Sequence, residues 1–176
     1  MSISTIATRF GGVSLAAALL FGPGVAWAQN AHYLSFGPAS LGGDDGLDYT
    51  LPFRETGLGN AITVANYTLS VPSVSVTYQC FNHGGNAPQA AAFTATETNV
   101  NHTQGFPSKN GNVKGTIIVE EPEVPSTQKC TGGGSFCALN VSWSAGTLTD
   151  PYGNQMATPA VDSGAIMKCG LPVGEE

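Results

Sequence analysis

Apolar and polar residues alternate along 74–80. Val74, Val76, Tyr78 and Cys80 fall on one face, and Ser75, Thr77 and Gln79 on the other. A strand buried on one side needs that period of two. A second run repeats it, with Cys137, Leu139, Val141, Trp143 and Ala145 against Ala138, Asn140, Ser142 and Ser144. In 61–70, Ala65, Tyr67 and Leu69 alternate with Asn66 and Thr68. Pro72 then either separates this segment from the central strand or bends one long strand. Val113, Gly115, Ile117 and Val119 share a face over 113–120. Shorter candidates are 49–53, interrupted by Pro52, then 147–149, 155–158 and 165–169. The segment 91–100 reads as a strand, although 91–95 could open a short helix. Val76, Tyr78, Leu139, Val141 and Trp143 are expected in the core, contributed by facing sheets.

Turn chemistry divides these runs. Asn110-Gly111 is the best two-residue hairpin signal in the chain. Asp150-Pro151-Tyr152-Gly153-Asn154 reads as another hairpin turn. The segments 54–60, 82–88 and 131–136 are turns or Gly-rich loops, and the acidic 121–125 holds Pro122 and Pro125. No amphipathic helix is evident after residue 29. Short strands at this spacing predict an all-β protein, an antiparallel β-sandwich of immunoglobulin-like or Greek-key type.

Residues 1–28 stand apart. Arg9 precedes an apolar, uncharged stretch over 11–25, and Ala26-Trp27-Ala28 is an A-x-A cleavage site. This is the pattern of a secretory signal peptide, so the mature chain is expected to begin at Gln29. The stretch is short for a spanning helix, and no later one is long and apolar enough, so no membrane span is expected after cleavage. The expected organisation is a signal peptide (1–28), a flexible Gly/Ser/Ala-rich arm (29–48) and a β-sandwich domain (49–176). The destination is outside the cytoplasm, periplasmic or extracellular.

Charge narrows the functions. The chain carries 6 Lys and Arg against 12 Asp and Glu, a net charge of −6. Past Arg9, the basic residues Arg54, Lys109, Lys114, Lys129 and Lys168 are scattered singly. A nucleic-acid partner would need a basic patch, so none is expected.

Cys80, Cys130, Cys137 and Cys169 form an even set in an exported chain, which predicts two disulfides. Their spacings do not suit zinc, and no Cys-x-x-Cys-His motif is present for covalent haem. Four cysteines allow three pairings. No cofactor is expected.

Candidate chemistry is sparse. Gly133-Gly134-Ser135-Phe136-Cys137 approaches a G-x-S-x-G elbow, but cysteine replaces the second glycine and no strand–turn–helix setting surrounds it. His83-Gly84-Gly85 resembles part of an oxyanion loop without a nucleophile. Asp44, Asp45 and Asp48 form the densest acidic cluster, and with backbone carbonyls they offer the oxygen ligands calcium wants. His32, His83 and His102 could meet at a transition-metal site. Glycoside hydrolysis would need paired carboxylates; Glu97 and Glu120 lie on predicted strands, but nothing in the sequence brings them together. Tyr67, Tyr78, Tyr152, Phe93 and Phe106 could form a carbohydrate-stacking platform if exposed.

The run Tyr78-Gln79-Cys80-Phe81-Asn82-His83-Gly84-Gly85-Asn86-Ala87-Pro88 is similar to one in a group of small exported, uncharacterised bacterial proteins. Phe106-Pro107, Lys109-Asn110-Gly111 and Gly115-Thr116 resemble the same group, as does the order of Cys130, a Val/Ser strand and Thr147-Leu148-Thr149-Asp150. The resemblance spans roughly 74–150 and carries no activity. It implies cysteines equivalent to Cys80 and Cys130, with Cys137 and Cys169 additional, and hence the pairs Cys80–Cys130 and Cys137–Cys169. The shared face of Cys137, Leu139 and Val141 would turn the Cys137 sulfur into the sandwich, against the rival Cys130–Cys137.

Three functions remain. The first is a non-enzymatic binding or surface-structure module acting on a cell-envelope or extracellular partner. The second is a fibre or adhesin subunit that completes its sheet by strand addition, with the 29–48 arm as donor. The third is a small secreted hydrolase or metal-dependent enzyme.

Overall fold

The computed structural model describes residues 30–82, 88–130 and 132–171. They form eleven strands: β1 (His32–Phe36), β2 (Ser40–Gly42), β3 (Asp48–Thr56), β4 (Val64–Phe81), β5 (Phe93–Pro107), β6 (Val113–Val119), β7 (Ser135–Trp143), β8 (Gly146–Thr149), β9 (Gln155–Thr158), β10 (Val161–Asp162) and β11 (Lys168–Cys169). All pairings are antiparallel. In the first sheet, β3 pairs with β6 on one side and with β1 and β2 in tandem on the other. The second sheet is built on β4, with β5 along one side and β8 and β7 along the other. β9 continues from β8, and β10 and β11 from β7. The chain thus crosses from β3 to the β4–β5 pair and returns as β6 beside β3, a Greek-key order shared between two sheets.

The 18-residue β4 is the organising strand. Its alternation places Ala65, Tyr67, Leu69, Val71, Val74, Val76, Tyr78 and Cys80 in the core. Pro72 lies inside this strand, and its partner position in the β5 ladder is skipped. Asn99 takes up the irregularity there with a φ of 56°. On the other edge, β4 changes partner from β8 to β7 at the same place. A residue with no N–H to donate sits where the ladders break.

Pro52 behaves alike. Rather than interrupting a strand, it lies within the nine-residue β3, and its carbonyl accepts from Gly37 N at 2.8 Å. Its missing N–H therefore faces the gap between β1 and β2. The segment 29–48, expected to be a loose arm, instead contributes those two strands to the first sheet. Short, Gly- and Pro-bounded and mostly exposed, they lack the apolar alternation that marks a buried strand.

The two sheets pack through Leu47, Tyr49, Leu51, Phe53, Ile117 and Val119 from the first and the β4 row with Val141, Trp143 and Leu148 from the second. Trp143 Nε1 donates to Leu47 O at 3.2 Å, and Tyr49 OH donates back to Pro159 O at 3.0 Å. Buried aromatics with polar tips thus tie one sheet to the other. Val76, Tyr78, Val141 and Trp143 are buried as expected, but they belong to neighbouring strands of one sheet, not to facing sheets.

Leu139 is only half-buried, because β7 carries a bulge. Thr77 pairs with Asn140 and Tyr78 with Ala138, so Leu139 is left between them. The extra residue reverses the faces below it. Phe136 and Ala138 turn inward beside Cys80 and Tyr78, and Cys137 turns to the outer face opposite Cys169. The disulfides are Cys80–Cys130 and Cys137–Cys169. The second pair is the expected one, but the expected reason is wrong, since it joins β7 to its neighbour β11 as cross-strand partners and Cys137 is not part of the core cluster.

The Asn110-Gly111 turn forms with both φ values positive, 52° and 70°, and with Lys109 and Asn112 exchanging backbone bonds of 2.9 and 3.0 Å. That is type I′ chemistry. The turn does not join two strands of one sheet, however: β5 belongs to the second sheet and β6 to the first. Among the described residues both are the last strands on their side, so the sandwich is open between them.

Candidate functional site

Three places gather polar chemistry. The first lies at one end of the first sheet. Tyr49 pairs with Val119, so the loop entering β3 meets the segment leaving β6. Carboxylate oxygens of Asp45, Asp48 and Glu121 come within 4.8 Å of one another. Asp45 Oδ1 also accepts from Leu47 N at 2.9 Å, which holds the loop. Burial, then hydrogen bonds with Asp48 and Asp45, push the Glu121 carboxyl up to about 8. The proton on Glu121 relieves the crowding of carboxyls that a hard cation such as calcium would otherwise relieve. The cluster could hold such an ion where it displaces that proton. Lys168 Nζ reaches over Gly46 in the same loop and supplies some positive charge. Asp44 is exposed and is not part of the group. Glu121 escaped the sequence reading because only the β3–β6 register brings it to Asp48.

The second place is the open side. A groove of about 780 Å³ runs between β5 from Glu97 to Gly105 and the end of β6 from Ile118 to Glu120. Glu97 pairs with Val74, His102 with Leu69 and Gln104 with Tyr67. Paired residues share a face, so these three polar side chains point to the core side of the sheet. There the first sheet does not cover them: Glu97 is exposed, and His102 and Gln104 are half-buried. Gln104 Oε1 is buried and makes no hydrogen bond among the described residues. Glu120 lines the opposite wall.

His102 therefore sits in this groove, whereas His32 lies on β1 in the other sheet with its ring nitrogen on Asn30 O. His83 lies outside the described residues. Among the described residues, Asp45, Asp48 and Glu121 are the one group of three or more His, Cys, Asp or Glu side chains at metal-ligand distance, so His32, His102, Glu97 and Glu120 do not converge on an ion. The stacking platform does not form: Tyr67, Tyr78 and Phe106 are core residues, and Phe93 packs on Tyr78 and Phe136. Ser135 opens β7, a strand, with no helix behind it.

The third place is inside the sandwich. The alternation of Tyr49, Leu51 and Phe53 on β3 continues to Glu55, which is fully buried. Tyr67 OH donates to Glu55 Oε2 at 2.6 Å, and Oε1 makes no bond at ordinary geometry. The Asp150 carboxyl lies against it, itself held by Tyr152 N, Asn154 N and Asn154 Nδ2 at 2.7–2.8 Å. Burial first, then the hydrogen bond to Asp150, push the Glu55 carboxyl up to about 8, against the smaller opposing effect of Tyr67. Glu55 therefore holds its proton at neutral pH, and the Tyr33 and Tyr67 phenols are pushed above their ordinary range by burial. This is a structural acid pair with no route to a substrate. The period of two runs on past Phe53 to Glu55, a position that the sequence pattern assigns to the 54–60 turn and not to a strand.

Glu55 and Glu121 both bind their protons more tightly when folded than the ordinary 4.5 of an unfolded glutamate. The folded state then holds more protons than the unfolded one between about pH 5 and 8, so stability must fall as pH rises through that window. Chemical denaturation at pH 5 and pH 8 should show the lower midpoint at pH 8. Glu55→Gln, which keeps the shape and a donor, should flatten the trend. Equal midpoints in the unsubstituted protein would contradict the raised Glu55 and Glu121 carboxyls.

Comparison of the chain with protein-family models, with curated proteins and with solved structures finds no match. Among the described residues no helix is long and apolar enough to cross a membrane. Two disulfides are consistent with an oxidising compartment.

Proposed function

We propose that this chain is an exported, non-enzymatic binding module, periplasmic or extracellular, whose partner occupies the open side between β5 and β6. One observation carries the reading. Glu97, His102 and Gln104 stand at core-facing positions of β5, where the alternation calls for apolar residues, and a groove opens in front of them. A sandwich that merely closed on itself would cover β5 with the opposite sheet and fill these positions with Val or Leu. Instead the groove offers a carboxylate, an imidazole and an amide oxygen without a partner, beside the exposed Ile118. A few convergent polar groups in a concave site are what recognition uses. The strand-addition reading has less support, since the segment it would donate already pairs with the chain's own β3.

The hydrolase reading keeps one observation of its own. The same groove holds both Glu97 and Glu120, the two carboxylates that glycoside hydrolysis requires. The two readings separate experimentally. Envelope and extracellular fractions are passed over the immobilised protein and over an Ile118→Arg variant of equal melting temperature. A species retained by the first and lost from the second supports the binding module. Retention unaffected by the substitution places any partner elsewhere. Release of shortened glycans by the unsubstituted protein, abolished in Glu97→Gln, would mark an enzyme.

A further inference from the structure

The outer face of the first sheet carries a feature that the groove does not explain. Arg54 on β3 and Lys114 on β6 are direct cross-strand partners. Both are exposed, so two cations stand side by side on one face. Like charges directly opposite in a sheet are destabilising. In a chain with 6 Lys and Arg against 12 Asp and Glu, a basic residue has an abundance of acidic neighbours to choose from. Yet neither Arg54 nor Lys114 makes an ion pair among the described residues. Ser35 on β1 pairs with Arg54 from the other side, so hydroxyl, guanidinium and ammonium form one row across three strands. Thr116 opposite Pro52 forms the next row.

These residues line a shallow concavity of about 540 Å³, with no acidic side chain among the described residues that line it. Gly37 forms part of its floor. A Cβ there would lie 2.6 Å from Pro52 Cγ, so the position stays bare and the depression stays open. Protection of a sheet edge by a charged residue accounts for Lys114 on the edge strand β6, but not for Arg54, which lies on the central β3. Guanidinium gives paired donors in a planar fork, ammonium a second point charge, and the two hydroxyls further donors. Together they match an oxyanion.

We propose that the Arg54–Lys114 concavity is an anion-binding site for a ligand bearing carboxylate, phosphate or sulfate groups, separate from the β5–β6 groove. The ligand supplies the negative charge that the chain withholds from this pair.

The test uses the disulfide-bonded exported protein at low ionic strength, with amide NMR shifts followed during titration. Inorganic sulfate and inorganic phosphate are the small-ion probes, and a sulfated polysaccharide is the polymer probe. Saturable shifts are expected at Ser35, Arg54, Lys114 and Thr116. They should weaken at least tenfold in Arg54→Gln/Lys114→Gln. Tighter binding of the polymer would identify a polyanion as the ligand, and equal binding a small oxyanion; either supports the site. The unliganded double variant should also unfold at a higher denaturant concentration than the unsubstituted protein, because the repulsion is gone, and sulfate should stabilise only the latter. No saturable shift with any probe overturns the proposal. So do shifts that persist in the double variant.

Discussion

Replacing Trp143 with alanine is expected to lower the unfolding free energy by about 3–5 kcal/mol, the range for truncating a buried aromatic. Trp143 is fully buried and is the largest side chain in the core. Its ring lies 5.6 Å from that of Tyr49 across the sandwich, and its indole N–H is the donor to Leu47 O. Truncation would therefore open a cavity and orphan a buried carbonyl in the same place. Trp143→Phe separates the two effects: it keeps most of the packing and loses the hydrogen bond, so its cost should be about 1–3 kcal/mol. Urea unfolding of the three proteins measures this. A midpoint unchanged by Trp143→Ala would show that the two sheets do not pack through this residue.

The second large effect concerns the Cys80–Cys130 bond. It links residues 50 apart, and the chain-entropy model gives a loop of that length about 4 kcal/mol. Cys80 is also a core residue, so Cys80→Ala/Cys130→Ala leaves space beside Phe136 as well. The Cys137–Cys169 bond closes a shorter loop, with a separation of 32, and lies on the outer face. The first double substitution should therefore lower the denaturation midpoint more than Cys137→Ala/Cys169→Ala. Non-reducing peptide mapping checks the pairing itself, and a peptide joining Cys130 to Cys137 would contradict it.

The core strands were legible from local pattern. In β4, β6 and most of β7, side chains alternate between the core and the other face, so the order of apolar and polar residues betrays the period. The Asn110-Gly111 turn was legible because its left-handed backbone demands such residues. The β7 bulge was not. One unpaired residue reverses every face below it, and nothing in Cys137 to Asn140 announces which residue is skipped. The strands β1 and β2 were hidden because their pairing rests on β3, and not on an apolar face of their own.

The candidate sites divide the same way. Asp45 and Asp48 are close in sequence and could be singled out, whereas Glu121 joins them only through the β3–β6 register. Glu97 and Glu120 could be named as acids, but their meeting across one groove depends on β5 and β6 ending different sheets. His102 and Gln104 are core-facing only because the skipped pair at Pro72 and Asn99 resets the alternation of β5. Long-range register, which a single sequence does not display, decides each of these.

The central claim is that the partner binds on the open side. Amide hydrogen exchange on the complex with the captured species tests it most directly. Binding there should protect residues 100–105 of β5 and 118–120 at the end of β6, with the β9 and β10 edge unchanged. Protection confined to that far edge, with β5 and β6 exchanging as in the free protein, would contradict the account.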